Sequence, residues 1–281
     1  LLINPKLGNV IYNTLTYSKK GFGISVLYKY TENFDMRVHP NALGNFGTTN
    51  FLPPMTRANS YRLMSRYNAA TQLLGEKAFQ VDFTYTPKKG LTFTGNHSRI
   101  TNLDNDLLFR EYYLDAEIKP KDRKKKWRII TGLQMVDYNQ TAFEGPKPDR
   151  PDYVQTFSPF FEYNYKFTRR KSIRFELQHM ITERERVLFG EDVPEQKQDL
   201  GDWTWGLVEY NIAPKWSFSG GAMYNHYDKL FFPTFLIAHN QKTTRFSLNY
   251  AKQPAGIICT GGICRFEPAF SGLKFDVTTK F

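Results

Sequence analysis

The sequence lacks long hydrophobic runs and convincing amphipathic helices. No stretch approaches the roughly 20 consecutive apolar residues that a membrane-spanning helix needs, which excludes a helical membrane protein. A closed β-barrel is the other arrangement that leaves no unpaired backbone polar groups in lipid. The hydrophobic fraction of 41% does not exclude one, because barrel strands alternate lipid-facing and lumen-facing residues.

Signatures of catalysis and metal binding are missing as well. The 5 histidines are scattered over separate segments and show no HExxH-like spacing: His39, His97, His179, His226 and His239. Two carboxylate pairs, Asp115 with Glu117 and Glu191 with Asp192, have the chemistry for acid–base work. No Ser-centred or His-centred motif accompanies them, and no Gly-rich phosphate loop opens a helix. We therefore predict a protein that is not an enzyme and has no cofactor and no metal.

The formal net charge of +11 is compatible with a nucleic-acid-binding protein. However, no helix carries the basic residues, and most of them lie in short turns. We therefore predict no nucleic-acid partner.

The sequence does contain many aromatic residues, at 16%. Its apolar and polar residues also alternate with a period of two. In the last segment, Leu273, Phe275 and Val277 alternate with Lys274 and Asp276. Side chains of an extended strand point to opposite faces in turn, so one face of this strand is apolar and the other is charged. The same pattern recurs along the chain and predicts many half-apolar strands.

The alternation predicts about fourteen strands, many of them near the ~10 residues that cross a bilayer in a tilted barrel. Their predicted ranges are 9–18, 21–32, 58–68, 77–86, 91–100, 110–118, 127–138, 154–167, 172–183, 203–212, 216–227, 233–240, 244–258 and 264–281. The predicted fold is all-β: an antiparallel transmembrane up-and-down β-barrel in one domain, residues 1–281.

From residue 77 onward, short and long connections alternate. The short ones are basic and cover 87–90, 119–126, 169–171, 214–215 and 241–244. The long ones, many of them acidic, cover 101–109, 139–152, 184–202 and 227–232. Outer-membrane barrels have short periplasmic turns and longer extracellular loops, so we expect the basic turns to be periplasmic.

The first part of the chain leaves two alternatives open. If 58–68 is a strand, the turn Lys19-Lys20-Gly21 lies on the outer rim. If it is not, this turn is periplasmic and the chain has thirteen strands, an odd number that would require further strands before Leu1.

Aromatic residues stand beside the basic turns in the outward phase of their strands. These predicted interface aromatics are Tyr85, Trp127, Phe167, Trp216 and Phe246. Such rings are favoured at membrane interfaces, where one end is apolar and the other is wet. The alternative is that they belong to an ordinary sheet core, which predicts no preference for strand ends.

The final strand also has the form of a targeting signal. Its alternating apolar residues Phe275 and Val277 and its terminal Phe281 resemble the signal that the outer-membrane assembly machinery recognises. Because an exposed strand edge can pair with another sheet edge, insertion by strand templating is expected. We therefore predict this machinery as a partner during insertion.

The segment CTGGICR at 259–265, followed by Pro268–Gly272 and Phe281, resembles the end of a Bacteroidota outer-membrane family of unknown function. Residues 15–37 and 52–83 are similar to the same family. The resemblance implies an outer-membrane β-barrel in a Gram-negative bacterium and implies no activity. Members usually carry a longer N-terminal region, so we expect this chain to be the C-terminal part of a longer protein.

Cys259 and Cys264 are the only cysteines and flank a Thr-Gly-Gly turn. Facing cysteines across a hairpin can form a disulfide, and the cell envelope is oxidising enough for one. A reduced pair or a metal site is the alternative, although no His or third Cys lies nearby to complete a set of four ligands. The alternation of connections predicts that this hairpin lies at the cell surface.

The predicted lumen face carries charges of both signs, which can pair across strands and partly fill the barrel. These residues are Arg128, Arg174, Lys274, Asp115, Glu117, Glu162, Glu176, Glu209 and Asp276. On the periplasmic rim, we expect a second set to bind anionic headgroups of outer-membrane lipid: Lys124, Lys125, Lys126, Arg169 and Arg170.

Three functions remain open from the sequence. The first is a structural or accessory subunit of an outer-membrane transport, export or assembly complex, with other outer-membrane or periplasmic proteins as partners. The second is a stand-alone porin or channel for small solutes. The third is a surface enzyme or ligand-binding barrel.

Overall fold

The structure is a computed structural model that describes residues 7–39, 47, 49–122, 126–145, 153–182, 201–260 and 263–280, with the backbone alone at 256–260 and 263–266. Within these ranges, thirteen antiparallel strands form one main sheet, and each of them pairs with the next main-sheet strand along the chain. They are β1 (Asn9–Lys19), β2 (Phe22–Glu32), β3 (Gly75–Lys88), β4 (Leu91–Thr101), β5 (Leu107–Ile118), β6 (Trp127–Asn139), β7 (Tyr153–Lys166), β8 (Lys171–Met180), β9 (Trp203–Ile212), β10 (Trp216–Asn225), β11 (Leu230–Gln241), β12 (Thr244–Gln253) and β15 (Phe270–Thr279).

A small hairpin and a short helix lie in the connections between these strands. β13 (Gly256–Thr260) and β14 (Ile263–Glu267) form a separate hairpin between β12 and β15. A short helix, α1 (Gln140–Glu144), follows β6 and is capped by the Asn139 side chain, which accepts from the Ala142 amide. In the described part of the chain, no helix has the length and apolar character to cross a bilayer.

The prediction of an all-β antiparallel up-and-down barrel is confirmed, with thirteen strands in the main sheet instead of about fourteen. The alternation sorts side chains as expected. In β3, Ala78 and Gln80 are buried on the inner face, whereas Phe79 on the outer face is 40% exposed. Large apolar side chains are therefore exposed outside, and many polar side chains are buried inside.

The short turns all lie at one end of the sheet, because every strand is antiparallel to the next. Backbone hydrogen bonds join successive turns at this rim: the Thr86 amide donates to Gly21, and the Lys119 amide donates to Gly90. Gly90 has φ +88°, and a Cβ there would lie 2.3 Å from the Lys119 carbonyl oxygen. The turn Lys19-Lys20-Gly21 belongs to this rim, where the second of the two sequence alternatives grouped it with the other short turns.

The predicted strand 58–68 is wrong. These residues form turns, with the Ser65 amide donating to the Tyr61 carbonyl and the Arg66 amide to the Leu63 carbonyl. They belong to residues 49–74, here called the plug, which lie against the inner face of the sheet. Its buried residues Met55, Leu63, Tyr67 and Ala69 share one apolar core with inner residues of the strands.

Two other predicted strands also differ. The ranges 244–258 and 264–281 each split into a main-sheet strand and one arm of the β13–β14 hairpin. The hairpin lies in the connection at the long-loop end, the end opposite the short turns. The alternation of apolar and polar residues runs across the break, so it could not show where the chain leaves the sheet.

The sheet has two uncovered edges. β1 pairs with β2 alone, β15 pairs with β12 alone, and no ladder joins β1 to β15 in the described residues. Every residue of β1 is exposed, and β15 is exposed along most of its length. The plug thus covers the middle of the sheet and leaves its two ends open.

Candidate functional site in the lumen

The plug is anchored near both of its ends by one buried ion pair. Lys29 of β2 lies 2.7 Å from Oε1 of Glu76 of β3, and both side chains are 0% exposed. The Lys29 ammonium also donates to the Pro53 carbonyl at 2.8 Å and to the Thr71 hydroxyl at 2.9 Å. Glu76 accepts from the Gln72 amide at 2.6 Å. One buried pair therefore holds both ends of the plug on adjacent strands.

A second anchor is Glu111 of β5, which is 1% exposed. Its carboxylate accepts from the Arg57 amide at 3.1 Å and from the Asn59 side chain at 3.4 Å. Gln134 of β6 donates to it at 2.7 Å. The Arg57 guanidinium lies 3.5 Å from the centre of the Tyr113 ring, an arrangement that stabilises a desolvated cation. Both the backbone and the side chains of the plug are thus bound to this part of the sheet.

Further along, the plug reaches β7 and β8. The Leu63 amide donates to the Gln178 side chain at 2.7 Å, and the Tyr61 hydroxyl donates to Glu162 at 3.4 Å. Burial raises the pKa of Tyr61, and the nearby Glu162 carboxylate raises it further. The hydroxyl therefore stays protonated and remains a donor. A fully buried Leu or Met, such as Leu63 or Met64, contributes roughly 1.5–3 kcal/mol.

The lumen wall beyond the plug carries a ladder of charges. Arg174 of β8 donates to Glu162 at 3.1 Å, forms an ion pair with Glu176, and lies 3.9 Å from Glu209. Arg128 of β6 pairs with Glu162 at 2.7 Å. The prediction that lumen charges of opposite sign pair across neighbouring strands is confirmed for these residues.

A cavity of about 410 Å³ lies between the plug and the inner faces of β8 to β12. Arg62 projects into it from the plug, and Lys252 borders it from β12. Trp205 and Phe232 form its aromatic wall, and Thr234 and Asn249 supply neutral polar groups. Its volume lies within the roughly 300–1,000 Å³ typical of small-molecule sites.

The predicted interface aromatics all lie in the outward phase beside the short turns. Tyr85, Phe167 and Trp216 are exposed, and Trp127 and Phe246 are partly exposed. Two pairs form ring contacts along the rim: Phe22 with Tyr85 at 6.4 Å and Tyr165 with Phe167 at 5.1 Å between ring centres. The rings thus point outward near strand ends, and the interface girdle itself stays a prediction.

The other predicted rim and signal residues are placed as follows. Lys126, Arg169 and Arg170 are exposed at the short-turn rim, whereas Lys124 and Lys125 lie outside the described residues. Phe275 and Val277 point outward from β15 and are 64% and 52% exposed. Phe281 lies outside the described residues, so the targeting signal stays a prediction.

The β13–β14 hairpin places Cys259 and Cys264 directly opposite one another in the ladder. This is the strand register that a cross-hairpin disulfide needs. The side chains of both residues lie outside the described part, so the disulfide remains a prediction.

The predicted candidates for catalysis do not form a site. Asp115 accepts from the Tyr113 hydroxyl at 2.6 Å, and Glu117 pairs with Lys119; Glu191 and Asp192 lie outside the described residues. His179 and His226 both contact the Thr204 hydroxyl on the outer face. Across the described ranges, no three His, Cys, Asp or Glu side chains are grouped to hold a metal.

Sequence reasoning missed the plug and the cavity that it forms. The available signal was the Pro53-Pro54 pair, which breaks strand pairing, together with the long segment between β2 and β3. Arg62 and Lys252 were not singled out, because their meeting at one cavity depends on the path of the plug.

The comparisons with known proteins give a family and several structural likenesses. The model described as "Family of unknown function (DUF6029)" matches residues 3–281. No curated protein matches the chain.

Among solved structures, OccK8 (OprE) of Pseudomonas aeruginosa is 14% identical with a TM-score of 0.47, covering 99% of this chain and 75% of that one. OccAB3 of Acinetobacter baumannii is 10% identical with a TM-score of 0.45, covering 95% and 67%. A mutant porin of Rh. blastica is 10% identical with a TM-score of 0.40, covering 95% and 89%.

Proposed function

We propose that this chain, which belongs to the Family of unknown function (DUF6029), is an integral outer-membrane β-barrel that is filled by its own plug. In this proposal it acts as a structural or accessory subunit of a larger outer-membrane transport, export or assembly complex. The observation that carries the proposal is the anchoring of residues 49–74 across the inner faces of β2 to β8.

The outer face of the sheet supports a membrane location. Its large exposed apolar side chains extend from one edge strand to the other, as a lipid-facing belt requires. Members of this belt include Leu15, Phe79, Leu114, Phe161, Phe175, Leu177, Val208, Phe235, Ile237, Leu248, Leu273, Phe275 and Val277. A water-soluble protein rarely exposes so wide an apolar surface. The basic short-turn rim would face the periplasm, and the sequence-based assignment to Bacteroidota is part of the same proposal.

The filled lumen favours a subunit over an open pore. A diffusion channel needs a continuous water-filled path, whereas the plug buries Lys29, Glu76 and Glu111 against the inner faces of β2, β3 and β5. Removing one partner from such a buried pair costs about 3–5 kcal/mol. The plug is therefore not expected to leave the lumen spontaneously.

Planar-bilayer recording of the purified chain tests this directly. We expect no large steady current from the wild-type protein. The double variant Arg57→Ala/Asn59→Ala, which removes two plug side chains from Glu111 and Tyr113, should show more frequent openings. Lys89→Ala in the exposed β3–β4 turn is the control and should behave as the wild type. Large steady wild-type currents would contradict the proposal.

Purification in mild, uncharged detergent tests whether the chain has a protein partner. We expect at least one envelope protein to co-elute with the chain in a fixed ratio and to remain bound through a second chromatographic step. A monodisperse monomer with no co-eluting protein would count against the subunit role while leaving the plugged barrel intact.

A stand-alone channel is the second candidate, favoured by one observation. The inner face of β15 is not covered by the plug, and its Lys274 and Asp276 side chains are 64% and 45% exposed. A polar path along this side of the sheet would carry small solutes. The bilayer recording separates this function from the first, because the channel predicts steady wild-type conductance.

A further inference from the structure

The cavity between the plug and β8 to β12 contains more positive charge than its own carboxylate can balance. Arg174 and Glu176 both line it, and they form an ion pair with each other. Arg62 and Lys252 also line it. Neither has an ion pair with any of the described residues. The cavity therefore has two cationic side chains without a matching carboxylate.

Arg62 is held in an environment that favours a bound anion. Its side chain is exposed to the lumen, yet desolvation by the surrounding protein lowers its pKa, and the nearby Arg66 lowers it further. Arg66 itself stacks over the Trp203 ring at 4.5 Å. A guanidinium that is partly desolvated beside another cation gains more from an anion than one in bulk water.

The single carboxylate of the cavity cannot serve as its partner. Glu176 accepts from the Trp205 indole at 2.9 Å and also from Gln178, in addition to its pair with Arg174. Its oxygens are thus already occupied. These bonds also fix the Trp205 ring in place, which gives the cavity a rigid aromatic wall.

The remaining walls define what kind of molecule fits. The Lys252 ammonium lies 5.5 Å from the centre of the Phe232 ring, so a cation and an apolar surface stand side by side. The Thr234 hydroxyl lies 3.5 Å from the Asn249 side-chain oxygen, and both line the cavity. Asn249 lies opposite Lys274 of the uncovered strand β15, so the cavity borders the open side of the sheet.

We propose that this cavity binds a small organic anion, with its carboxylate or phosphate group held by Arg62 and Lys252 and its apolar part against Trp205 and Phe232. Arg is suited to this task because its planar guanidinium forms two parallel bonds to either group. The inference goes beyond the proposed subunit role and does not depend on whether the barrel conducts.

Isothermal titration calorimetry on the full chain in uncharged detergent tests the proposal. The probes are benzoate and phenyl phosphate, with benzamide as the neutral molecule of matched shape. We expect saturable binding of at least one anion and at least about tenfold weaker binding of benzamide, the loss expected when a charge-assisted contact disappears. Comparison of the two anions tells whether a carboxylate or a phosphate is preferred.

Three variants that each remove one positive charge locate the site. Arg62→Gln and Lys252→Gln should each weaken anion binding by about tenfold or more. Lys89→Gln, in an exposed turn far from the cavity, should leave it unchanged. The far-ultraviolet circular dichroism of all three should match the wild type, because none of these side chains is buried in the core.

Four results would overturn the proposal. One is equal affinity for benzamide and benzoate, and another is the absence of saturable binding of either anion at millimolar concentrations. The third is an equal loss in all three variants, which would indicate general charge attraction. The fourth is unchanged affinity in both Arg62→Gln and Lys252→Gln.

Discussion

Two lysine–carboxylate pairs lie on the inner face of the same sheet, one between two neighbouring strands beneath the plug and the other within a single strand that the plug does not cover. Lys29 and Glu76 lie under the plug 2.7 Å apart, and both are 0% exposed. Lys274 and Asp276 lie on uncovered β15 at 3.4 Å, 64% and 45% exposed. The strands supply a lysine and a carboxylate in both places. Whether the plug covers the pair therefore determines whether its charges are buried or exposed to water.

The largest expected effect comes from breaking the covered pair. Lys29→Met leaves Glu76 buried without its cation, and the Pro53 carbonyl and Thr71 hydroxyl lose their donor. The free energy of unfolding should fall by about 3–5 kcal/mol, measured by denaturant titration in detergent micelles.

The matched change on the uncovered side is the control. Lys274→Met removes a cation from an exposed pair and should change the free energy of unfolding by less than about 1 kcal/mol. Equal losses in the two variants would show that the plug does not shield Lys29 and Glu76 from water.

A second comparison uses adjacent residues of β12 that point to opposite faces. Leu248→Arg places a charge on the outer belt near the middle of the strand, and it should cost about 2–4 kcal/mol if this face meets lipid. Ser247→Arg places the same charge on the inner face opposite Asp276 and should cost less. The measurement is reversible unfolding from lipid vesicles.

The outcome distinguishes a membrane barrel from a soluble sheet. If the sheet were soluble, Leu248→Arg would expose its charge to water and change little. Similar small losses in both variants would therefore remove the support that the outer belt gives to a membrane location.

Much of the sheet could be predicted from the sequence because alternation reports on each strand separately. The predicted ranges 91–100 and 127–138 differ from β4 and β6 by one residue at their C-terminal ends. The range 203–212 coincides with β9. In each strand one face is apolar and the other polar, so the local pattern suffices.

The plug could not be recognised in the same way. Tyr61, Leu63, Tyr67 and Ala69 are buried at odd positions, so the segment imitates the alternation of a strand while it packs against the sheet without joining it. Its anchors are also invisible locally, since Leu63 binds Gln178, a residue 115 positions away. The cavity could not be predicted from the sequence either, because Arg62 and Lys252 line the same cavity only after the plug has packed against the sheet.

The short-turn rim runs along both the covered and the uncovered part of the sheet. Lipid binding at this rim therefore tests how the whole sheet is oriented in the membrane. A cavity of about 640 Å³ at this rim is lined by Lys119, Lys126, Arg128, Lys166 and Trp127, next to the predicted headgroup-binding residues.

Replacing Lys126, Arg169 and Arg170 by Gln should lower the amount of co-purifying acidic lipid, since each cation near an anionic surface contributes about 1 kcal/mol. Phosphate analysis of lipid extracts measures the change. Unchanged acidic lipid would refute the headgroup role. The control Lys229→Gln removes a charge from an exposed loop at the opposite end of the sheet and should leave the lipid unchanged.

The smallest effect is expected at the hairpin that leads into the uncovered edge. Cys259 and Cys264 are register partners in β13 and β14, and mass mapping without reductant should find their peptides linked. The hairpin forms its own two-stranded sheet, so Cys259→Ser should change the free energy of unfolding of the main sheet by no more than about 0.5 kcal/mol. Free thiols in oxidised material would rule out the bond, and a large loss of stability would mean that the hairpin helps to hold β15 against β12. In that case the uncovered edge would depend on a covalent link where the covered strands depend on the plug.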